Sequence, residues 1–564
     1  MATGGIDITI LVNILSVFVI AAGVGVFVAK VGNFPYTIAL LIAGFAASVL
    51  GVTMEAVTLS HDLILLVLLP PLLFEGAATT DLERLRRNLG PILAMAVPGL
   101  LLSVVVLGLL GTVAFGFDLL IAFLFAAMIL PTDPVSVLAL FEELGAPERL
   151  AVLVEGESLI NDGVGVVLFS SLLVFVETGQ SVDALFSVAG IGDLALEVTV
   201  VSIGGLLVGV AAGTAVYNVM RNLDEHMTEI VLTIILAYGA FLLAEHYLHV
   251  SGVIATVAAG LLIGNRGAEH AMSPQTKISV FNAWETGAFI VNTFIFLLIG
   301  VKTPIGDLID NAEFIAIAVV LVLLARAVSV YLVSNLANLV TEPRVPFAYQ
   351  HVMLWGGLHA SIPIALVLGL PDGTPQQATL RAMVFGVAAF SLVVQGLSMS
   401  TLLDGLGIVT RSDAEELYEL LVGRARAVDA ALDAADELHD QGEIPGKVYR
   451  DFTAEYEQEK ADLNEAISTL LEENPELRRE QLLTSERQLL QREKSAIMDA
   501  ARNGVLSDDV ADKLLEEVDL KLDHVRDGES TVERREEGFE EFWRTRANEF
   551  GLESGRLPSE AAEE

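Results

Sequence analysis

The chain has 564 residues, 53% of them hydrophobic, and a mean hydropathy of +0.62, too apolar for an ordinary soluble protein. Its formal net charge is -40, and such acidity repels nucleic acid rather than binding it. It has no cysteine, which excludes disulfides, thiol catalysis and cysteine-ligated metals.

Apolar blocks of membrane-spanning length recur from Ile8 to about Gly407. They place about thirteen transmembrane helices at 8–29, 36–51, 61–76, 91–115, 119–141, 151–177, 190–218, 228–247, 251–264, 279–301, 312–338, 349–370 and 381–407. The ninth is short, so the count is good to one. No basic stretch precedes the first apolar run, so no cleavable signal peptide is expected. Lys30, the cluster Arg84, Arg86 and Arg87, then Arg149, Arg221, Arg266, Arg344 and Arg411 follow odd-numbered spans. Glu55, Asp118, Asp183, Glu245, Asp307 and Asp372 follow even ones, with Lys302 and Arg381 as exceptions. Positive residues favour the cytoplasm, so the N-terminus is expected outside and the tail in the cytoplasm. The expected layout is a transmembrane domain over 1–407, a soluble helical domain over 408–550 and a disordered end over 551–564.

Two spans carry breaks. The fifth contains Pro131-Thr132-Asp133-Pro134, and the twelfth contains Gly356-Gly357-Leu358-His359-Ala360-Ser361-Ile362-Pro363. Proline removes a backbone donor and glycine weakens a helix. Broken helices at matching positions of two inverted repeats, here spans one to six and eight to thirteen, point to a transporter's midplane site. Ordinary proline kinks are the bland alternative, but both breaks also carry polar side chains.

The sixth span opens on Glu157-Ser158-Leu159-Ile160-Asn161-Asp162-Gly163. Positions 157, 158, 161 and 162 share one helix face, which offers two carboxylates, a hydroxyl and an amide. A carboxylate at that depth is costly and by default marks an ion or proton pathway. Burial disfavours an uncompensated charge, so a buried Asp162 holds either a proton or a cation. Competition of the two ions for one carboxylate makes an exchanger. Asn161 adds no second titrating charge, which implies about one proton per cation. Asp133 and the backbone at Thr132 reach the same face from the broken fifth span, and Arg326 in mid-span needs a buried partner.

These segments resemble the NhaP-type branch of the monovalent cation/proton antiporters, in the sodium/proton exchanger superfamily. The resemblance rests on Phe74-Glu75-Gly76, Pro131 to Val135, Glu157 to Gly163, Gly264-Asn265-Arg266, Asn292, Phe294 to Gly300, Arg326, Trp355 to Leu358 and Gln395-Gly396. It implies a homodimer of all-α polytopic chains with two crossed broken helices. Sodium would sit at Asp162, Asp133, Ser158 and Thr132, with Glu75 nearby. Asn161 would tie the broken helices together. One departure stands out: the family often has arginine after Gly-Gly-Leu, paired with the glutamate that matches Glu157, and here that residue is His359. Glu157 is then left protonated, or with His359, Arg326 or Arg381. A pH-sensing Glu157–His359 pair and a histidine merely satisfied in a polar core are both open.

His246 and His249 are expected to face water at an outer loop, without zinc spacing. Glu285 beside Trp284 lines an ion funnel or anchors the interface. The tail is rich in Glu, Leu, Ala and Arg, with a weak repeat of Asp440 to Pro445 and Arg502 to Ser507 that suggests two helical hairpins. It carries no nucleotide or calcium loop, so a regulatory or dimer-stabilising role and a plain solvated appendage are both open. The charge balance resembles that of salt-accumulating halophiles; an acidic solvated tail is the simpler account.

The function these residues imply is electroneutral exchange of cytoplasmic Na+ for external H+ across the plasma membrane, without cofactor. A potassium/proton antiporter is the near alternative. A gated cation channel is the distant one, but no filter-like segment is present. An enzyme is not expected, because Ser158 lacks a partner in nucleophile geometry.

Overall fold

The computed structural model describes residues 8–31, 35–50, 60–133, 135–178, 188–221, 223, 225–303, 305–408, 413–502, 505–526, 528 and 530. Glu55, Pro134, Asp183, Arg411, Asn503, Gly504 and the stretch from Gly551, all named above, lie outside these. Two compact units divide the chain at 1–410 and 411–564.

Every regular element among the described residues of the first unit is helical. In chain order, leaving aside the short helices Ala268–His270 and Ile305–Asp310, they are α1 (Ile8–Val31), α2 (Tyr36–Val49), α3 (Leu63–Thr79), a short helix Leu82–Arg87, α4 (Leu89–Phe115), α5 (Leu119–Ile129) and α6 (Val135–Leu144). Next come α7 (Glu148–Glu177), α8 (Val188–Met220), α9 (His226–Tyr247), α10 (Gly252–Gly267) and α11 (Pro274–Lys302). The last are α12 (Ala312–Ala337), α13 (Phe347–Trp355), α14 (Ser361–Leu368) and α15 (Gln377–Gly405). Seven of the described helices are long and apolar enough to cross a membrane, and five shorter apolar ones accompany them. In a bilayer a helix satisfies its own backbone, which explains why the apolar sequence takes this form.

Local chemistry sets the helix starts. Asp118 accepts from the Leu120 N–H at the head of α5, Glu225 from Thr228 at α9, and Ser251 from Ile254 at α10. Pro71 leaves the Val67 carbonyl of α3 without its helical donor, and the Tyr238 hydroxyl of α9 supplies one at 2.8 Å. His246 and His249 are exposed at the end of α9.

Burial separates core helices from lipid-facing ones. Every residue of α5 from Leu120 to Ile129 is buried, the signature of a helix that is apolar all round and enclosed by others. By contrast α8 buries 11% of its apolar stretch and turns Leu196, Val200, Ile203 and Leu207 outward. Between α3 and α10 the backbones meet. A Cβ on Gly264 would stand 2.0 Å from the Ala78 carbonyl oxygen, so only glycine permits this approach. Asn265 then clamps the pair: its Nδ2 donates to the Thr80 carbonyl at 3.0 Å, and its Oδ1 accepts from the Leu82 N–H at 2.9 Å.

The second unit has the two hairpins that the repeat suggests. They are α16 (Asp413–Asp440) with α17 (Gly446–Glu473), and α18 (Pro475–Arg502) with α19 (Asp508–Arg526). Ion pairs cross each hairpin: Arg424 grips Glu459 at 2.6 and 3.0 Å, Lys460 meets Asp429 at 2.6 Å, and Lys494 meets Asp519 at 2.7 Å. Leu490, Val518, Leu522 and Val525 form a small apolar core in the second.

Gly264→Ala is expected to cost about 1–3 kcal/mol by overpacking. It should lower the melting temperature of the detergent-purified protein. Gly239→Ala, whose Cβ meets nothing within 4 Å, should leave it level or slightly raised.

Candidate functional site

Two chain breaks meet inside the first unit. One follows α5 at 130–133, and the other separates α13 from α14 at 356–360. The Asp133 N–H donates to the Leu358 carbonyl at 2.8 Å. His359 Nδ1 lies 3.2 Å from the Pro131 carbonyl, which can only accept, so Nδ1 carries the hydrogen. The breaks therefore cross and satisfy each other's backbone.

α7 locks this crossing. Asn161 Nδ2 donates to Thr132 Oγ1 at 2.9 Å, and its Oδ1 faces the Thr132 N–H at 3.4 Å. Thr132 Oγ1 is also 2.9 Å from Ser158 Oγ. Asn161 thus ties α7 to the first break, whereas the resemblance implies that it ties the two broken helices to each other. On the second break, the His359 N–H donates to Ser391 Oγ of α15 at 3.0 Å.

Asp133 and Asp162 face one cavity of about 560 Å³, whose wall also includes Glu75, Glu155, Glu285 and Ser361. Ser361, the first residue of α14, donates to Asp133 Oδ2 at 3.3 Å. That position sets the Asp133 carboxylate against the positive end of a half-helix. Asp162 is 6% exposed, and its Oδ1 has no hydrogen-bond partner among the described residues. A buried carboxylate oxygen without a donor is a ready position for a hard cation or a proton.

The sequence-derived residues separate into two groups. Asp162, Asp133 and Glu75 line the cavity. Thr132 bonds both Ser158 and Asn161, and neither Thr132 nor Ser158 is among the wall residues. Glu157, Arg326 and His359 also lie off the wall. Arg326 is the partner of Glu157, with NH1 at 2.9 Å from Oε1 and NH2 at 3.1 Å from Oε2, both side chains buried. The same NH2 donates to the Met353 carbonyl near the end of α13 at 3.1 Å. Gly357 makes room for this arrangement, since a Cβ there would stand 2.2 Å from Arg326 Nε. His359 is not paired with Glu157, so the geometry gives no Glu157–His359 sensor.

Glu285 belongs to the cavity wall, and its neighbour Trp284 explains how it is held. The Trp284 indole donates to Thr233 Oγ1 at 2.9 Å and packs on Phe74 at 4.5 Å between ring centroids. Those contacts bring Glu285 and Glu75 to the same cavity. Sequence reasoning missed Glu155 as a wall residue. Its spacing from Asp162, seven positions or two helical turns, was the available signal.

The family model described as sodium/hydrogen exchanger, transmembrane, matches residues 14–405. The chain belongs to the sodium/hydrogen exchanger family. Within this family it is 35% identical to the Na(+)/H(+) antiporter NhaG of Bacillus atrophaeus, over 90% of this chain and 97% of that one. It is 40% identical to the Na(+)/H(+) antiporter ApNhaP of Aphanothece halophytica, over 71% of this chain and 74% of that one. The solved structure of the sodium proton antiporter MjNhaP1 from Methanocaldococcus jannaschii shares the fold, with a TM-score of 0.57 and 18% identity. It covers 71% of this chain and 99% of that one. The chain is thus a multi-pass membrane protein of an exchanger family.

Arg326→Met strands the buried Glu157 charge and should cost about 3–5 kcal/mol. A lower melting temperature in detergent would report it. Adding Glu157→Gln should recover most of that loss, because the unpaired charge is then gone.

Proposed function

We propose that this chain is an electroneutral sodium/proton antiporter that exports cytoplasmic Na+ for external H+. Asp162 carries the reading: a buried carboxylate with one oxygen unpartnered, open to a cavity, and followed in the exchange by either ion. Its neighbour Asn161 is neutral and bonds Thr132 through both its amide nitrogen and its oxygen, which supports one proton per cation. Asp133 serves as the second oxygen donor, while Thr132 and Ser158 support the cation either through their oxygens or by fixing the crossing.

The relatives named as Na(+)/H(+) antiporters support sodium as the cation. The arginine-rich loops after odd spans support an external N-terminus and a cytoplasmic tail in the plasma membrane. A homodimer is the assembly we propose, with the two tail hairpins as its regulatory or stabilising part.

Purified protein in proteoliposomes with an imposed pH gradient gives the test. Addition of Na+ should release the gradient, and the rate should not change when the membrane potential is clamped. Asp162→Asn should abolish the signal. Voltage-dependent exchange would overturn the one-proton stoichiometry, K+ in place of Na+ would change the cation, and flux that persists in Asp162→Asn would move the site elsewhere.

A further inference from the structure

One carboxylate on the cavity wall has no task in the exchange just described. Glu155 lies two turns before Asp162 on α7, about 10 Å along the helix axis, and both face the same cavity. Leu159 stands between them on that wall and offers no polar atom.

Glu155 Oε1 is 2.6 Å from Oγ1 of the buried Thr80, just past the end of α3. The same hydroxyl is 2.7 Å from the Gly76 carbonyl. A hydroxyl has one hydrogen and two lone pairs. When the hydrogen points at Glu155, Thr80 donates to a carboxylate. When it points at Gly76, the short contact to Glu155 needs a hydrogen of its own, and only a protonated Glu155 supplies it. One geometry therefore serves both protonation states with no movement of either side chain. Gly76 is not orphaned by the turn, since its carbonyl also accepts the Thr80 N–H at 3.1 Å. Thr80 itself is pinned by the Asn265 amide on its carbonyl at 3.0 Å.

Among the described residues, no cationic side chain lines the cavity with Glu155. The titratable groups that share the cavity with Glu155 are Glu75 on α3, Glu285 on α11, and Asp133 and Asp162 deeper in. Arg84 of the short helix Leu82–Arg87 is taken by Glu148 and Asp81. Arg149 on α7 is bonded to Asn88 and to the carbonyls of Pro343 and Arg344. Independently, the unpartnered Asp162 Oδ1 points to an ion that arrives through this cavity.

We propose that Glu155 is a proton-carrying residue in its own right and passes the transported proton between the cavity mouth and Asp162. In the step, the Glu155 O–H bond breaks and the proton goes to water. The Thr80 hydroxyl then turns from Gly76 to the carboxylate left behind. The reverse sequence reloads it. This inference rests on the antiport reading above.

The test is the pH dependence of Na+-driven proton movement in proteoliposomes for wild type, Glu155→Gln, Thr80→Val and Thr80→Ser. Glutamine keeps the shape and a hydrogen bond to Thr80 but cannot release a proton. Its maximal turnover should fall about tenfold, with the KM for Na+ nearly unchanged, as for a loss confined to the transfer step. Thr80→Val should move the profile about one pH unit alkaline, because a bond to a charged carboxylate is the stronger one lost. Thr80→Ser should keep the wild-type profile, which separates a role of the hydroxyl from damage to the fold. Unchanged turnover and profile in all three variants would overturn the proposal. So would a rise in KM alone for Glu155→Gln, which would make Glu155 a mere attractor of cations. If wild type itself moves no protons on Na+ addition, the antiport reading fails and takes this one with it.

Discussion

Two interrupted helices leave backbone donors and acceptors unpaired at a depth where water is scarce, and the site exists because those groups find each other. The Asp133 N–H meets the Leu358 carbonyl, and the Pro131 carbonyl meets His359. An unmet amide in such surroundings costs several kcal/mol, on the order of the whole margin by which a fold persists. That constraint fixes the crossing point, and the crossing point fixes where Asp133 projects. Asn161 joins the same system through Thr132, and Asp162, the next residue, keeps an Oδ1 with no hydrogen-bond partner among the described residues.

Charge follows the backbone. Asp133 sits with Ser361 at the positive start of α14, and Arg326 meets the carbonyl end of α13 through Met353. Each compensates a half-helix dipole with the opposite sign. Glu157 then completes Arg326, so neither is left as a lone buried ion. Asp162 is left with no such partner at Oδ1, and it shares its cavity with three glutamates.

Much of this was legible in the sequence. Proline and glycine beside polar residues in apolar spans mark both breaks, because nothing in lipid tolerates them except another broken helix or a cavity. Asn161 and Asp162 were legible for the same reason. The partner of Glu157 was not, since Arg326, His359 and Arg381 all lie far along the chain and only the three-dimensional path selects among them. The cavity wall was partly hidden too. Thr132 and Ser158 offer oxygens by chemistry, but that they bond each other and are not among the wall residues needed the structure. Glu155 has the right spacing, but spacing cannot say which helix face is hollow.

The asparagine at 161 has a consequence for how such a chain can change over evolutionary time. Its amide donates to the Thr132 hydroxyl, which leaves that hydroxyl's own hydrogen for Ser158. A carboxylate at 161 accepts but never donates. An ionised aspartate there would turn the Thr132 hydrogen toward itself, and the Ser158 contact would persist with Ser158 as its donor, since either hydroxyl can donate. A second charge beside Asp162 would therefore arrive together with a reversed bond direction in the contacts that tie α7 to the first break. The number of ionisable groups at the centre and the mechanical integrity of the crossing are inherited together.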